Sequence, residues 1–144
     1  MPFTGPAEDR QAIRELYDFY ADASCRGDRA DFLACWTQDG SWWTHYFDLQ
    51  GREAIATQYD QLMGAVQATI FSGQMLSIEV AGDTARCRAI CSERLLMGEH
   101  GQHVLTGIYH DELRREGGQW LFHRRIYKVV TEEMLPPYVA FSAG

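Results

Sequence analysis

Positive charge is scarce in this chain: 13 Lys and Arg stand against 20 Asp and Glu, a formal net charge of −7. A surface of that sign repels phosphate backbones and anionic lipid, so neither nucleic acid nor a membrane is expected as a partner. Long apolar runs are also missing. None approaches the ~20 residues that span a bilayer. The first residues lack the pattern of a secretory leader, which makes the cytoplasm the expected location. Cysteine is sparse as well. The spacing of Cys25, Cys35, Cys87 and Cys91 fits no zinc template, so no metal site is expected and the thiols read as small core residues. No internal repeat and no low-complexity linker is visible, and 144 residues make one domain, 1–144.

What is present is globular material: 46% hydrophobic and 12% aromatic residues, enough for a core without staples. From Asp9 to about Cys25 the residues Ile13, Leu16, Tyr17, Tyr20 and Ser24 return at helical spacing, while Asp18 and Asp22 point away. Asp28 caps a second helix, Arg29 to about Trp36. "TQDG" turns into a strand from Ser41 to about Phe47, and Gly51 precedes a third helix, Arg52 to about Val66. Four long strands follow: Thr69–Val80, Thr84–Gly98, His103–Arg115 and Trp120–Val130. Their turns, "AGD", "GEHGQ" and "EGGQ", carry the glycine that hairpins favour. Helices followed by an antiparallel meander give an α+β fold. The core covers about residues 9–130. In the tail, 131–144, Met134, Leu135, Tyr138, Val139 and Phe141 are placed to cap a pocket or a dimer partner.

Two strands hold the informative conflicts. Ala85, Cys87, Ala89 and Cys91 line one face with small side chains, leaving space for a larger neighbour or a ligand, while Arg86, Arg88, Ser92 and Arg94 face mostly outward. In "QWLFHRRIYKVV" strict alternation puts Leu121, His123, Arg125 and Tyr127 on one face and Trp120, Phe122, Arg124 and Ile126 on the other. Either face then drives a guanidinium into the core unless a bulge re-aims the chain. Alternation also sets Trp42, Thr44 and Tyr46 against Trp43, His45 and Phe47, so His45 reaches a cavity walled by Trp42 only through a bulge or twist. His103, Tyr109 and Asp111 share a face. Asp111 is placed to pair with Arg125, with an arginine on a neighbouring strand, or with a surface cation. Tyr17 and Tyr20 lie on the inward face of the first helix, and His100 sits in a turn.

The segments "AIRELYDFYADASCRGD", "CWTQDGSWW", "GREAI", "TIFSGQ" and "LTGIYHDELRREGGQWLF", with the following "RR", resemble the SnoaL-like branch of the nuclear-transport-factor-2-like (cystatin-like) superfamily. The resemblance runs from about Asp9 to Lys128. It implies a cone-shaped α+β barrel, three N-terminal helices on a curved antiparallel sheet, with a blind apolar pocket and a homodimer or higher oligomer. It further implies a cofactor-independent lyase or isomerase acting on a small hydrophobic, aromatic or polycyclic molecule. Alternatives of the same fold are a non-catalytic binding protein and the small subunit of a ring-hydroxylating dioxygenase.

The dehydrochlorinases and dehydratases of the branch use a His–Asp pair, and those positions correspond here to Phe71 and Cys25. The pocket-wall tryptophan corresponds to Trp42, the last-strand arginine to Arg125, and a first-helix lysine to Tyr20. The resemblance therefore makes Arg125 the stabiliser of negative charge, with Tyr20 and one histidine, His45 or His123, moving the proton. Trp42, Cys25, Phe71, Tyr109 and Tyr17 would shape the pocket.

Overall fold

The computed structural model describes residues 2–139. The chain enters through a two-residue strand, β1 (Phe3–Thr4), and helix α1 (Ala7–Arg26). Gly27 stops α1 in a left-handed conformation, φ 65°, and its N–H returns to the carbonyls of Ala23 and Ser24. The Asp28 carboxylate accepts from the Asp31 N–H and starts α2 (Arg29–Ala34). This helix ends two residues before Trp36, because the chain is already extended there as β2 (Trp36–Thr44). A hairpin at His45 and Tyr46 leads to β3 (Phe47–Gln50), and α3 (Arg52–Ala65) follows. The four long strands are β4 (Ala68–Ala81), β5 (Thr84–Leu96), β6 (Gln102–Glu116) and β7 (Gln119–Leu135). At the β6–β7 hairpin Gly117 and Gly118 both take positive φ, 56° and 78°, as a tight primed turn demands.

The seven strands form one sheet in the order β1-β4-β5-β6-β7-β2-β3. It is mixed rather than purely antiparallel, since β1 runs parallel to β4 and β2 parallel to β7. It is also open: β1 and β3 are its two edges, so the cone is a curved sheet and not a closed barrel. The three helices pack on it, α1 against β4 and β7 and α3 against β2 and β3.

Alternation fails in β7 as its charged run requires. Arg124 pairs with Glu112 but Phe122 pairs with Leu113, so His123 is an extra residue, a β-bulge. Trp120 and Phe122 face the core before it, and Arg125 and Tyr127 face the core after it. Arg124 is exposed, as expected of the outward partner. A second shift, between Thr106 and Gly107, leaves Val130 unpaired and 71% exposed.

The tail expectation is corrected at its start. Thr131–Leu135 continue β7 against Gln102–Thr106, so Met134 and Leu135 belong to the sheet. Beyond it the Tyr138 hydroxyl accepts from the Gly98 N–H and donates to Gln67 Oε1. Phe141 lies outside the described residues.

One core cluster gathers Ile13, Leu16, Ile55, Ile78, Leu113 and the aromatics Tyr20, Phe32, Trp36 and Phe122. Ala85, Cys87, Ala89 and Cys91 are all buried, and the space beside them is filled by large neighbours. Tyr17, Phe71, Met75, Tyr109 and Tyr127 pack around Ala89 and Cys91. The cavity between helices and sheet opens further along the same strand, at Glu93 and Leu95.

Candidate active site

The cavity, about 340 Å³, lies between the helices and the concave face of the sheet. Tyr20 and Ser24 of α1, Phe32 of α2, and Gln58, Tyr59, Leu62 and Met63 of α3 form one wall. The β2–β3 hairpin adds Trp42, Thr44, Tyr46 and Phe47. The sheet adds Thr69, Phe71, Glu93, Leu95, His103, Leu105, Tyr127 and Val129. Most of this lining is aromatic or aliphatic, and its two ionisable groups near neutrality are Glu93 and His103.

Glu93 follows from period-two geometry. The inward row of β5 that begins Ala85, Cys87, Ala89, Cys91 continues to Glu93 and Leu95, and the carboxyl therefore projects into the cavity wall. Burial raises its pKa to about 7, with the Arg125 cation pulling the other way. Sequence reasoning missed this residue; extending the small-residue row by one more step identifies it.

Arg125 is fully buried, as parity and the resemblance together required, but it does not line the cavity. Its Nε donates to Asp111 Oδ1 at 3.0 Å and its Nη2 to Asp111 Oδ2 at 2.8 Å, a bidentate pair with both side chains at zero exposure. The Tyr17 hydroxyl donates to the same carboxylate. Four rings enclose the guanidinium: its central carbon lies 3.4 Å from the Tyr109 centroid, 4.1 Å from Phe122, 4.6 Å from Tyr20 and 5.5 Å from Tyr17. Nη1 has no hydrogen-bond partner among the described residues. Burial opposes the cation, yet Asp111, Tyr109 and Tyr20 outweigh it and hold the pKa above its ordinary value. The Asp111 interaction is thus a buried pair and not a surface one.

Of the expected residues, Tyr20, Trp42 and Phe71 line the cavity, and Tyr20 links it to Arg125. Burial raises the Tyr20 hydroxyl's pKa, and Arg125 opposes that rise. Tyr17 and Tyr109 stand behind the cavity wall, committed to Asp111 and Arg125.

Cys25 is exposed; the cavity-facing position at the end of α1 is Ser24, because one helical step turns Cys25 to solvent. His45 sits at the tip of the β2–β3 hairpin, 44% exposed, with Nε2 3.3 Å from Glu132 Oε2 and outside the lining. His123 is the bulge residue and is turned to the outer side, against Thr37 Oγ1 at 3.1 Å and Asp39 at 3.5 Å. The histidine in the wall is His103, whose Nε2 is 2.6 Å from Glu132 Oε1. Burial and the neighbouring His45 both lower its pKa.

Among the described residues no group of three or more His, Cys, Asp or Glu could hold a metal ion, and no helix is long and apolar enough to cross a membrane. The cavity is mostly apolar and carries a carboxyl, an imidazole and a cation-backed phenol.

Comparison with known proteins agrees with the architecture. No curated protein matches the chain. A protein of Novosphingobium aromaticivorans DSM 12444, provisionally named a scytalone dehydratase, superposes with TM-score 0.81 at 18% identity, covering 93% of this chain and 95% of that one. Hexachlorocyclohexane dehydrochlorinase LinA-type3 from Novosphingobium barchaimii LL02 gives 0.80 at 18% identity, covering 92% and 95%. A cystatin-like protein of Nostoc punctiforme PCC 73102 gives 0.69 at 18%, covering 90% and 95%. At such identities the likeness establishes the fold, which is that of the cystatin-like proteins. The SnoaL-like domain family matches residues 6–126, five-sixths of the chain, and the protein belongs to that family.

Proposed function

We propose that this protein is a cofactor-independent lyase or isomerase that moves a proton on a small apolar ring compound held in the cavity. One observation carries the reading: the Glu93 carboxyl projects into a cavity lined mainly by aromatic and aliphatic side chains, where burial pushes its pKa up to about 7. A general acid or base works best when its pKa lies near the working pH, and burial without a full counter-charge achieves that here. Tyr20 supplies a donor for an oxyanion that develops as the proton leaves. Arg125, 4.6 Å from its ring, makes negative charge at that end of the chamber less costly without touching the substrate. Trp42 and Phe71 provide flat surfaces for a ring.

The rival is a binding protein of the same fold, favoured by the sealing of Arg125 behind four rings. A panel of cyclic hydroxyketones and halogenated rings, including scytalone and hexachlorocyclohexane, tests both. The enzyme reading predicts turnover of at least one compound, reduced about 10²–10⁴-fold in Glu93→Gln with binding kept. Binding across the panel with no turnover would establish the rival.

A further inference from the structure

Resting on the reading of the cavity as a proton-transfer site, we propose that His103 is a second catalytic residue and Glu132 its positioning residue. The pair would make the reaction an elimination with one proton taken and another given. His103 lies on β6 opposite Leu95, and Glu93 lies on β5 opposite Leu105, on the same cavity-facing side. The two are therefore diagonal cross-strand neighbours, roughly 7–8 Å apart at the backbone. That span fits two adjacent ring carbons and their substituents between the side chains. Nothing else in the lining transfers protons near neutrality.

Glu132 lies on β7 opposite Leu105 and is bound at both oxygens: Oε1 to His103 Nε2 at 2.6 Å, Oε2 to His45 Nε2 at 3.3 Å. In the neutral imidazole a proton on Nε2 is donated to that carboxylate, and Nδ1 keeps a lone pair. A histidine whose outer nitrogen is fixed by a carboxylate is oriented as a base, and the imidazolium it becomes is stabilised by the same carboxylate. By the resemblance the family's paired positions correspond to Cys25 on α1 and Phe71 on β4, so this pair stands on other elements, β6 and β7.

The step balances as follows. His103 Nδ1 takes a proton from a carbon next to a carbonyl, and the C–H electron pair becomes the new C=C bond. The bond from the adjacent carbon to its hydroxyl breaks with its electrons on oxygen, and the Glu93 carboxyl donates its proton there, so water leaves. One proton then passes from His103 to Glu93 through solvent and resets both groups. Turnover requires Glu93 protonated and His103 neutral, which gives a bell-shaped profile whose alkaline limb falls near 7. Facing His103 are Glu132 from β7, His45 and Tyr46 from the hairpin and Glu93 from β5. Facing Glu93 are Arg125 and Tyr127 from β7, Tyr20 from α1, Tyr109 and His103 from β6 and Cys91 on its own strand.

The test is histidine-ring ¹⁵N NMR of the full chain with 2-naphthol as probe, its occupancy followed by fluorescence. At saturation the His103 Nδ1 resonance is expected to move toward that of a hydrogen-bonded nitrogen. Glu132→Gln is expected to lose the Nε2–H tautomer and that movement, while Glu93→Gln retains both. With any compound the enzyme turns over, His103→Gln should lower kcat about 10²–10⁴-fold and remove the acid limb of its pH profile. If 2-naphthol saturates the cavity and Nδ1 does not move, or Glu132→Gln changes nothing, the inference is overturned while the proton-transfer reading stands. If 2-naphthol does not bind, the reading of the cavity fails and the inference with it.

Discussion

Glu93 pairs a chemical asset with a stability cost. Its folded pKa, about 7, lies above the ordinary glutamate value, so the native protein holds a proton that the unfolded chain has released between those two values. The stability it contributes is complete below the ordinary value and is lost as pH rises through about 7. Glu93→Gln removes that dependence. Thermal melts should show the two proteins alike near pH 4.5 and the variant the more stable at pH 8; a constant difference would deny the burial of the charge. Arg125 makes the opposite case, a buried charge already satisfied. Arg125→Met strands Asp111 and should cost about 3–5 kcal/mol by urea denaturation, whereas Arg125→Met with Asp111→Leu should recover most of it. A buried arginine was legible because strict alternation through "HRR" sends one guanidinium inward, and the resemblance selected Arg125. Neither histidine assigned the proton transfer from the sequence reaches the cavity, since a hairpin tip and a bulge fix where His45 and His123 point, and neither leaves a periodic signal.

At the scale of elements, the bulge at His123 decides which side chains of β7 meet the core. Deleting His123 removes the bulge and leaves Arg124 alone between Phe122 and Arg125, so strict alternation keeps Phe122, Arg125 and Tyr127 facing the core. The expected outcome is soluble folded protein that has lost only the His123 contacts to Thr37 and Asp39, read by circular dichroism and gel filtration. Gly107 is a second fixed point: a Cβ there would lie 2.3 Å from the Lys128 carbonyl oxygen, backbone that cannot yield. Gly107→Ala should lower the melting temperature far more than Gly64→Ala, whose Cβ meets nothing within 4 Å. The four long strands could be read from their alternation and turn glycines to within a few residues. The parallel pairings of β1 and β2 could not, because they join residues far apart in sequence and need no turn motif. The cavity face of β5 was legible in principle, as its parity runs unbroken from Ala85 to Leu95.

Over the whole molecule, the fold separates support from chemistry along one concave surface. Toward the start of β5 the sheet is closed by α1 and by the Tyr17–Asp111–Arg125 network. Toward its end, where Glu93, Leu95, Leu105 and His103 face inward, the helices stand off and leave about 340 Å³. A two-ring ligand in that space adds stability by mass action, about 2.7 kcal/mol at a hundredfold excess over Kd, so 2-naphthol should raise the melting temperature by roughly 5–10 °C. The central claim is that the chamber holds a carboxyl poised to exchange a proton at neutral pH. Side-chain ¹³C NMR of glutamate-labelled protein, with Glu93→Gln to assign the signal, measures it directly. A Glu93 midpoint near 7 is the predicted result; a midpoint in the ordinary glutamate range would contradict the account.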